Sequence, residues 1–271
     1  MASAREVVVR TLGELLAEVE RLQGTAQGSL WYRGVGNGKY KLVPALYRHK
    51  KIKGADDLAS LERQLMTRFR QRSLPYHDRP LGDDWDALFF MQHYGVPTRL
   101  LDWTENPFVA VHFALMSAKS SISAAGKVAF EADAALWILD PVEWNRHALR
   151  HVSYAGGVLA PGDEALKSYR PTPGFSGMQN LPVAIYGAHN SPRIVAQQGV
   201  FTVFGREATA MEDAFNKDGF PAACLTKLIV GKGAIQSMRK ALLSHGVTES
   251  VVFPDLEGLA RETKRIFGFE G

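Results

Sequence analysis

Cysteine is almost missing from this chain of 271 residues: Cys224 stands alone, which excludes an internal disulfide. Its neighbours, Ala222, Ala223 and Leu225, are apolar, a setting for a packed thiol rather than a nucleophile. Long apolar runs are missing too. None reaches the roughly 18 residues that a membrane span needs. Met1 to Arg10 has no apolar core of the signal-peptide kind. The histidines and the cysteine form no Cys/His cluster, so no metal site is expected. Gly-x-Ser-x-Gly does not occur, which argues against an α/β-hydrolase elbow. Gly231-Lys232-Gly233 follows an apolar run but lacks the spacing and the Lys-Ser/Thr pair of a P-loop. These absences leave a soluble protein with one unpaired thiol, for which a reducing cytoplasm is the simplest address.

What remains is ordinary in amount and uneven in placement. The chain is 46% hydrophobic and 22% charged, as expected of a globular domain. The net charge of +4 hides an asymmetry: residues 31–80 hold 12 Lys/Arg against 4 Asp/Glu, a net of +8, so the remainder carries −4. Lys39, Lys41, Arg48, Lys50, Lys51 and Lys53 make this segment basic enough to attract phosphates of a nucleotide or a nucleic acid. A solvated basic surface is the plainer reading.

Periodicity divides the chain into alternating helices and strands. Leu12, Leu15, Leu16, Val19 and Leu22 predict an amphipathic helix after a short Val7–Val9 strand. Further helices are predicted over 56–73, 83–94 and 106–119, the last with Asn106 as N-cap and Pro107 at its first position. Strands are predicted at 29–34, 134–140, 183–186, 199–204, 225–230 and 250–253, with helices over 234–245 and 256–267. Arg193 to Gln198 is predicted as the approach to the 199–204 strand, and 151–181 as a long loop. No linker or repeat interrupts the pattern, which predicts one α+β domain, a central sheet flanked by helices.

The densest chemistry lies between Met91 and Pro107. A helix end, a Gly/Pro turn, a short strand and a second turn place Gln92, His93, Tyr94, Arg99, Asp102, Thr104 and Asn106 around Leu100-Leu101 and Trp103. Upstream, Trp31-Tyr32-Arg33-Gly34 runs from a strand into a glycine turn, where an arginine can present a planar fork to a phosphate or carboxylate. Gly34 and Gly36 would let a ligand approach the main chain. Asp102 is a candidate acid, or the partner of a neighbouring arginine. His93 is a candidate base, or a histidine placed by the helix dipole.

Tyr32-Arg33-Gly34, the segment 91–107 and Arg193-Ile194-Val195-Ala196-Gln197-Gln198-Gly199-Val200-Phe201 together resemble the FRG domain family, whose name describes an aromatic-Arg-Gly motif. The resemblance runs from about Leu30 to about Phe267 and implies an FRG domain over 29–271, with 1–28 as a helical lead-in. More distantly, the layout resembles an ADP-ribosyltransferase, implying a split central sheet and NAD as substrate. On that resemblance Arg33 holds the NAD ribose and phosphates, together with Tyr32 and Gly34. His93, Asp102 and Thr104 line the nicotinamide side, Tyr94 and Arg99 are further cofactor-binding residues, and Gln198 stands where such enzymes carry a glutamate. Glutamine is uncharged and supports an oxocarbenium-like centre less well. Asp102, Glu105 and Glu207 are the alternative acids. The expected activity is NAD cleavage with transfer of ADP-ribose, in a toxin or anti-phage effector. The rival expectation is a non-catalytic module that binds a nucleotide or nucleic acid through the basic 31–80 segment, and a third is a nuclease or phosphodiesterase using Arg33, His93 and Asp102.

Overall fold

The computed structural model describes residues 4–77, 81–122, 128–170, 179–188 and 191–269. In chain order its strands are β1 (Arg5–Val9), β2 (Trp31–Val35), β3 (Leu100–Thr104), β4 (Ser120–Ile122), β5 (Val128–Phe130), β6 (Ala134–Leu139), β7 (Val183–Ile185), β8 (Gly199–Val203) and β9 (Leu225–Val230). Its helices are α1 (Leu12–Gln23), α2 (Ala55–Ser73), α3 (Asp84–His93), α4 (Pro107–Met116), α5 (Pro141–Ala148), α6 (Pro192–Gln197), α7 (Met211–Asp218), α8 (Ile235–Ser244), α9 (Glu249–Val252) and α10 (Leu256–Ile266). Helix and strand mix in a single α+β fold around a large sheet.

Seven strands form that sheet, in the order β1-β9-β6-β2-β3-β8-β7, while β4 and β5 make a separate hairpin. β1 and β9 run parallel; the other neighbours are antiparallel. β6, Ala-Ala-Leu-Trp-Ile-Leu, is buried at every position, as befits a strand covered on both faces. The sheet is strongly knit everywhere but one place. β2 pairs with β6 over five residues and β3 with β8 over five, yet β2 and β3 meet only at Tyr32 opposite Thr104. Two half-sheets are thus joined by one rung. The region before β2 belongs to the same body, since β1 supplies an edge strand and α1 buries Leu12, Leu15, Val19 and Leu22 in the core.

Local signals explain most boundaries. Thr11 accepts the Glu14 amide at the start of α1, and Asn106 accepts the amides of Phe108 and Val109 at the start of α4. On one face of the sheet α1, α4 and α8 pack on Tyr32, Leu136, Ile138 and Leu228. On the other, Trp31, Trp103, Trp137 and Trp144 pack with α2 and α7, and α3 packs with Phe201 and Val203.

Helix α4 lies unusually close to β2. A Cβ built on Gly34 would sit 1.8 Å from the Ala110 carbonyl oxygen and 2.5 Å from the Ala114 nitrogen. One on Gly36 would sit 2.4 Å from the Ser117 carbonyl. The space at these two glycines is therefore filled by the backbone of α4, where the sequence suggested room for a ligand.

Three expectations need correcting. Residues 250–253 are not a strand: Glu249–Val252 is the short helix α9, because Glu249 pairs with Arg265 of α10 and the Ser250 amide donates to Glu262. Tertiary contacts outweigh the β-preference of Val251, Val252 and Phe253 here. The approach to β8 is likewise helical. Ser191 accepts the Ile194 amide and Pro192 occupies the first turn of α6, which ends with Gln198 in the left-handed region at φ 45°. The long 151–181 loop is partly ordered by a 3-10 helix, Glu164–Tyr169, which buries Leu166 and Tyr169; residues 171–178 lie outside the described ones. Helices α5 and α7 are additions that the sequence reading lacked.

Two stability measurements follow from this packing. Gly34→Ala drives a methyl into the α4 backbone, and urea unfolding is expected to show a loss of about 3 kcal/mol or failure to fold. His112, on α4, is buried with neither ring nitrogen bonded among the described residues, and burial pushes its pKa down to about 4 despite the nearby Glu249. The unfolded chain, with a histidine near the ordinary 6.5, binds a proton that the fold rejects. Stability is therefore undiminished above pH 6.5 and falls as the pH drops towards 4, by on the order of 3 kcal/mol in full. Unfolding curves at pH 7 and pH 5 should converge in His112→Leu relative to the parent; an unchanged pH dependence in that variant removes His112 as the cause.

Candidate functional site

Where β2 and β3 part, the surface opens into a cavity of about 650 Å³. Its walls are the end of α3 with the turn after it, the first turns of α4, helix α6, and the strands β2, β3 and β8. Residues from four distant segments meet here: Arg33; Gln92, His93 and Tyr94; Asp102 and Thr104; Arg193 and Gln197. Apolar surface comes from Trp103, Val109, Phe113, Ile194 and Phe201.

Arg33 bridges the seam. Its Nη1 donates to the Asp102 carbonyl at 2.5 Å and lies 3.8 Å from the Asp102 carboxylate. The guanidinium thus spans the gap that the missing strand hydrogen bonds leave, and with its side chain 25% exposed it still faces the cavity. Burial lowers its pKa, Asp102 raises it and Arg48 lowers it, yet an arginine stays charged throughout.

Asp102 is the single carboxylate among the described cavity-lining residues. It is half exposed, and its position is set by a short relay: the Thr98 hydroxyl donates to Gln92 Oε1 at 2.5 Å, and Gln92 Nε2 donates to Asp102 Oδ2 at 2.8 Å. The relay fixes the Gln92 amide so that its donor end faces the acid. Thr98 had no part in the sequence reading. The available signal was the Tyr94-Gly95 turn, with Gly95 at φ 73°, which reverses the chain after α3 shortly before Thr98.

His93 ends α3 at the cavity edge. Partial burial and the Arg193 charge both lower its pKa, so its imidazole is neutral near pH 7 and able to donate or accept a proton. Ser191 Oγ lies 3.4 Å from its Nδ1, and the Tyr94 ring meets it edge-on with centroids 4.7 Å apart. Tyr94 is 62% exposed at the mouth of the cavity.

Other residues singled out by the sequence are placed differently. Arg99 does not face the cavity. It is 1% exposed, donates through Nε to Glu62 at 2.7 Å and through Nη2 to the same carboxylate, and reaches the Tyr169 carbonyl with Nη1 at 3.1 Å. Its charge is committed to a buried pair, because Arg99, just before β3, lies against α2, where Glu62 meets it. Gln198 is exposed at the left-handed end of α6 and is absent from the cavity wall, where Gln197 stands instead. Gln197 Nε2 donates to the Val252 carbonyl at 3.1 Å. Thr104 lines the cavity, but its hydroxyl donates to the Gln197 carbonyl at 2.5 Å and accepts the Asn106 amide at 3.0 Å, clamping α4 to α6. Tyr32 is 3% exposed with its pKa pushed up to about 12 by burial. Gly34 touches the cavity, with its open side taken by α4.

Neither Glu105 nor Glu207 reaches the cavity wall. His147 and His151 are four residues apart, but the His147 ring bonds the Asp218 carbonyl, and no group of three potential metal ligands occurs among the described residues. In the basic 31–80 segment, Lys41 is paired with Asp213 and Arg70 with Asp84. Burial pushes the Cys224 thiol well above its ordinary value, so it is no nucleophile.

No curated protein and no solved structure matches the chain significantly. One family model does, over residues 28–122, a stretch that includes Arg33, His93, Asp102 and Thr104 and stops short of α6. Over residues 28–122 the chain is similar to the FRG domain that this model describes.

Proposed function

We propose that the cavity between β2 and β3 binds a dinucleotide of the NAD class and cleaves its nicotinamide–ribose bond, in the manner of an ADP-ribosyltransferase or NAD glycohydrolase. The observation that carries this reading is the convergence of Arg33, His93 and Asp102 on one cavity at the seam of a sheet held by a single rung. Arg33 offers a fixed cation for a phosphate. Trp103, Phe113 and Phe201 offer apolar surface for a ring. Asp102, held by Gln92, is the group that would stabilise positive charge developing on the ribose as nicotinamide leaves. With no glutamate among the described residues of the wall, the acid role falls to Asp102. NAD consumption of this kind would suit a toxin or anti-phage effector.

A specific feature favours a second reading, a module that binds the nucleotide without chemistry. Asp102 already neutralises Arg33 in part, and the α6 side offers Gln197 rather than an acid.

Incubation with NAD, following free nicotinamide, separates the two. Release is expected, and Asp102→Asn should lower it by about a hundredfold or more. Because Asp102 is half exposed, that variant should lose under about 0.5 kcal/mol in unfolding. Binding of ADP-ribose without nicotinamide release selects the second reading, and absence of both overturns the site.

Arg33→Ala is expected to weaken ADP-ribose binding by at least about tenfold, the loss of one charge-assisted hydrogen-bonding group. Removal of its bond to the Asp102 carbonyl costs about 1 kcal/mol of stability, and Arg33→Lys should recover little binding, since an ammonium lacks the fork. Intact binding in Arg33→Ala, measured by calorimetry, would make the arginine a structural bridge alone.

A further inference from the structure

Helix α10 is amphipathic in the opposite sense from a surface helix. Its inward side is polar: Arg265 pairs with Glu249 at 2.8 Å, Glu262 accepts the Ser250 amide, and the Arg261 guanidinium lies 4.2 Å from the centre of the Phe253 ring. Gly258 supplies the close approach, since a Cβ there would fall 2.0 Å from the Phe253 carbonyl oxygen. Its outward side is apolar. Leu256 is 84% exposed, Leu259 52%, Ile266 62%, Phe267 72% and Phe269 77%. At 100° per residue, Leu256, Leu259, Ala260, Thr263, Ile266 and Phe267 fall within an arc of about 120°, with the 3-4-3 spacing of a helix-pairing seam. A continuous apolar stripe of this kind marks a surface that another body covers.

Charge selects among the bodies that could cover it. Helices that lie on membranes carry cations along the edges of their apolar face. Here Arg265 is engaged on the inward side and Arg261 lies over Phe253, while the edge beside the seam carries Glu257 and Lys264; Glu257 is 81% exposed and meets Arg261 only at 4.0 Å, an exposed pair weak enough to exchange for a closer partner. These two charges lie seven residues apart about the middle of the seam. If a second α10 packs antiparallel across a two-fold axis, Lys264 of each copy meets Glu257 of the other, and Leu259, Thr263 and their mates interdigitate. Lys264 has no ion pair among the described residues, so it is free to make that contact.

We propose that the chain pairs with a second copy of itself through α10, antiparallel about a two-fold axis, with the Leu256–Leu259–Thr263–Ile266 seam at the centre and two Lys264–Glu257 pairs at its edges. The interface is self-complementary in both shape and charge, as a two-fold contact requires. It also lies one layer from the cavity. Phe253, under α10, packs against Phe113 with ring centroids 5.7 Å apart and against the Arg193 guanidinium at 4.8 Å, and both residues line the cavity wall.

Sedimentation equilibrium of the full chain tests the pairing independently of any ligand. A monomer–dimer equilibrium in the roughly micromolar range is expected for so small a contact. Leu259→Asp with Ile266→Asp should weaken it by more than about tenfold. Far-UV circular dichroism should be unchanged, because both side chains are exposed. Lys264→Glu should weaken it too, by placing like charges opposite each other, and Glu257→Lys combined with Lys264→Glu should restore it. A protein that stays monomeric at high concentration overturns the proposal. So does a dimer indifferent to the two aspartates, or one that the exchanged charge pair fails to restore. A monomer that instead sediments with vesicles of anionic phospholipid assigns the stripe to a lipid surface and overturns it as well.

Discussion

The contact on which most of this structure depends is the backbone-to-backbone approach of α4 to β2 at Gly34 and Gly36. Any side chain at either glycine would collide with the main chain of the helix. The helix starts immediately after β3, at Asn106, and lies across β2, so it ties together the strands on either side of the seam. Held this way, the sheet can stay open between them. β2 and β3 need only the Tyr32–Thr104 rung, and the groups that a complete ladder would cover are left facing a cavity. The glycine in the Tyr-Arg-Gly motif thus serves packing, and by doing so presents the arginine beside it.

Two arginine–carboxylate pairs within a few residues of each other show how position decides what a charge can do. Arg99 and Glu62 are both almost fully buried, and every donor direction of the arginine described above ends on a carboxylate or carbonyl oxygen. Such a pair gains little net stability over a hydrophobic substitute, while breaking it leaves a naked buried charge. It ties α2 to β3. Arg33 and Asp102 lie 3.8 Å apart and remain solvent-facing, so their mutual attraction is weak and a competing anion can share the guanidinium. The residue able to meet a ligand is the one whose electrostatic needs are left half met.

Phe253 joins the far end of the chain to this site. Arg193 and Arg261 lie over its ring, and His112 and Phe113 meet it edge-on. Through it the α9–α10 unit supports α6 and the adjoining wall of the cavity, and Gln197 adds a hydrogen bond to the Val252 carbonyl. Cation–π contacts of this sort are individually worth about 1 kcal/mol. Their consequence is positional: a change at α10 reaches the cavity through Phe253 and through the Val252–Gln197 hydrogen bond.

How much of this the sequence contained follows from the range of the forces involved. Local signals carried well: Asn106-Pro107 opens α4, the 3.6-residue periodicities mark α1 and α2, and the uninterrupted apolar run marks β6. The α+β class and the neighbourhood of Arg33 and Asp102 were legible because strand–turn–helix signals are written within a few residues. The α6 helix had its Ser191-Pro192 signal, but the β-branched Ile194 and Val195 masked it. The strand reading of 250–253 failed because the pairing of Glu249 with Arg265 spans sixteen residues. Whether Arg33 in β2 or Arg99 just before β3 would be buried, and whether Gln197 or Gln198 would face the cavity, depended on the elements packed around each arginine and on a left-handed helix end. Sequence determined which residues could bear charge, cap a helix or yield to a passing backbone. Only the tertiary structure decided which charges water could still reach, because desolvation is set by every element that packs around a group and by no segment alone.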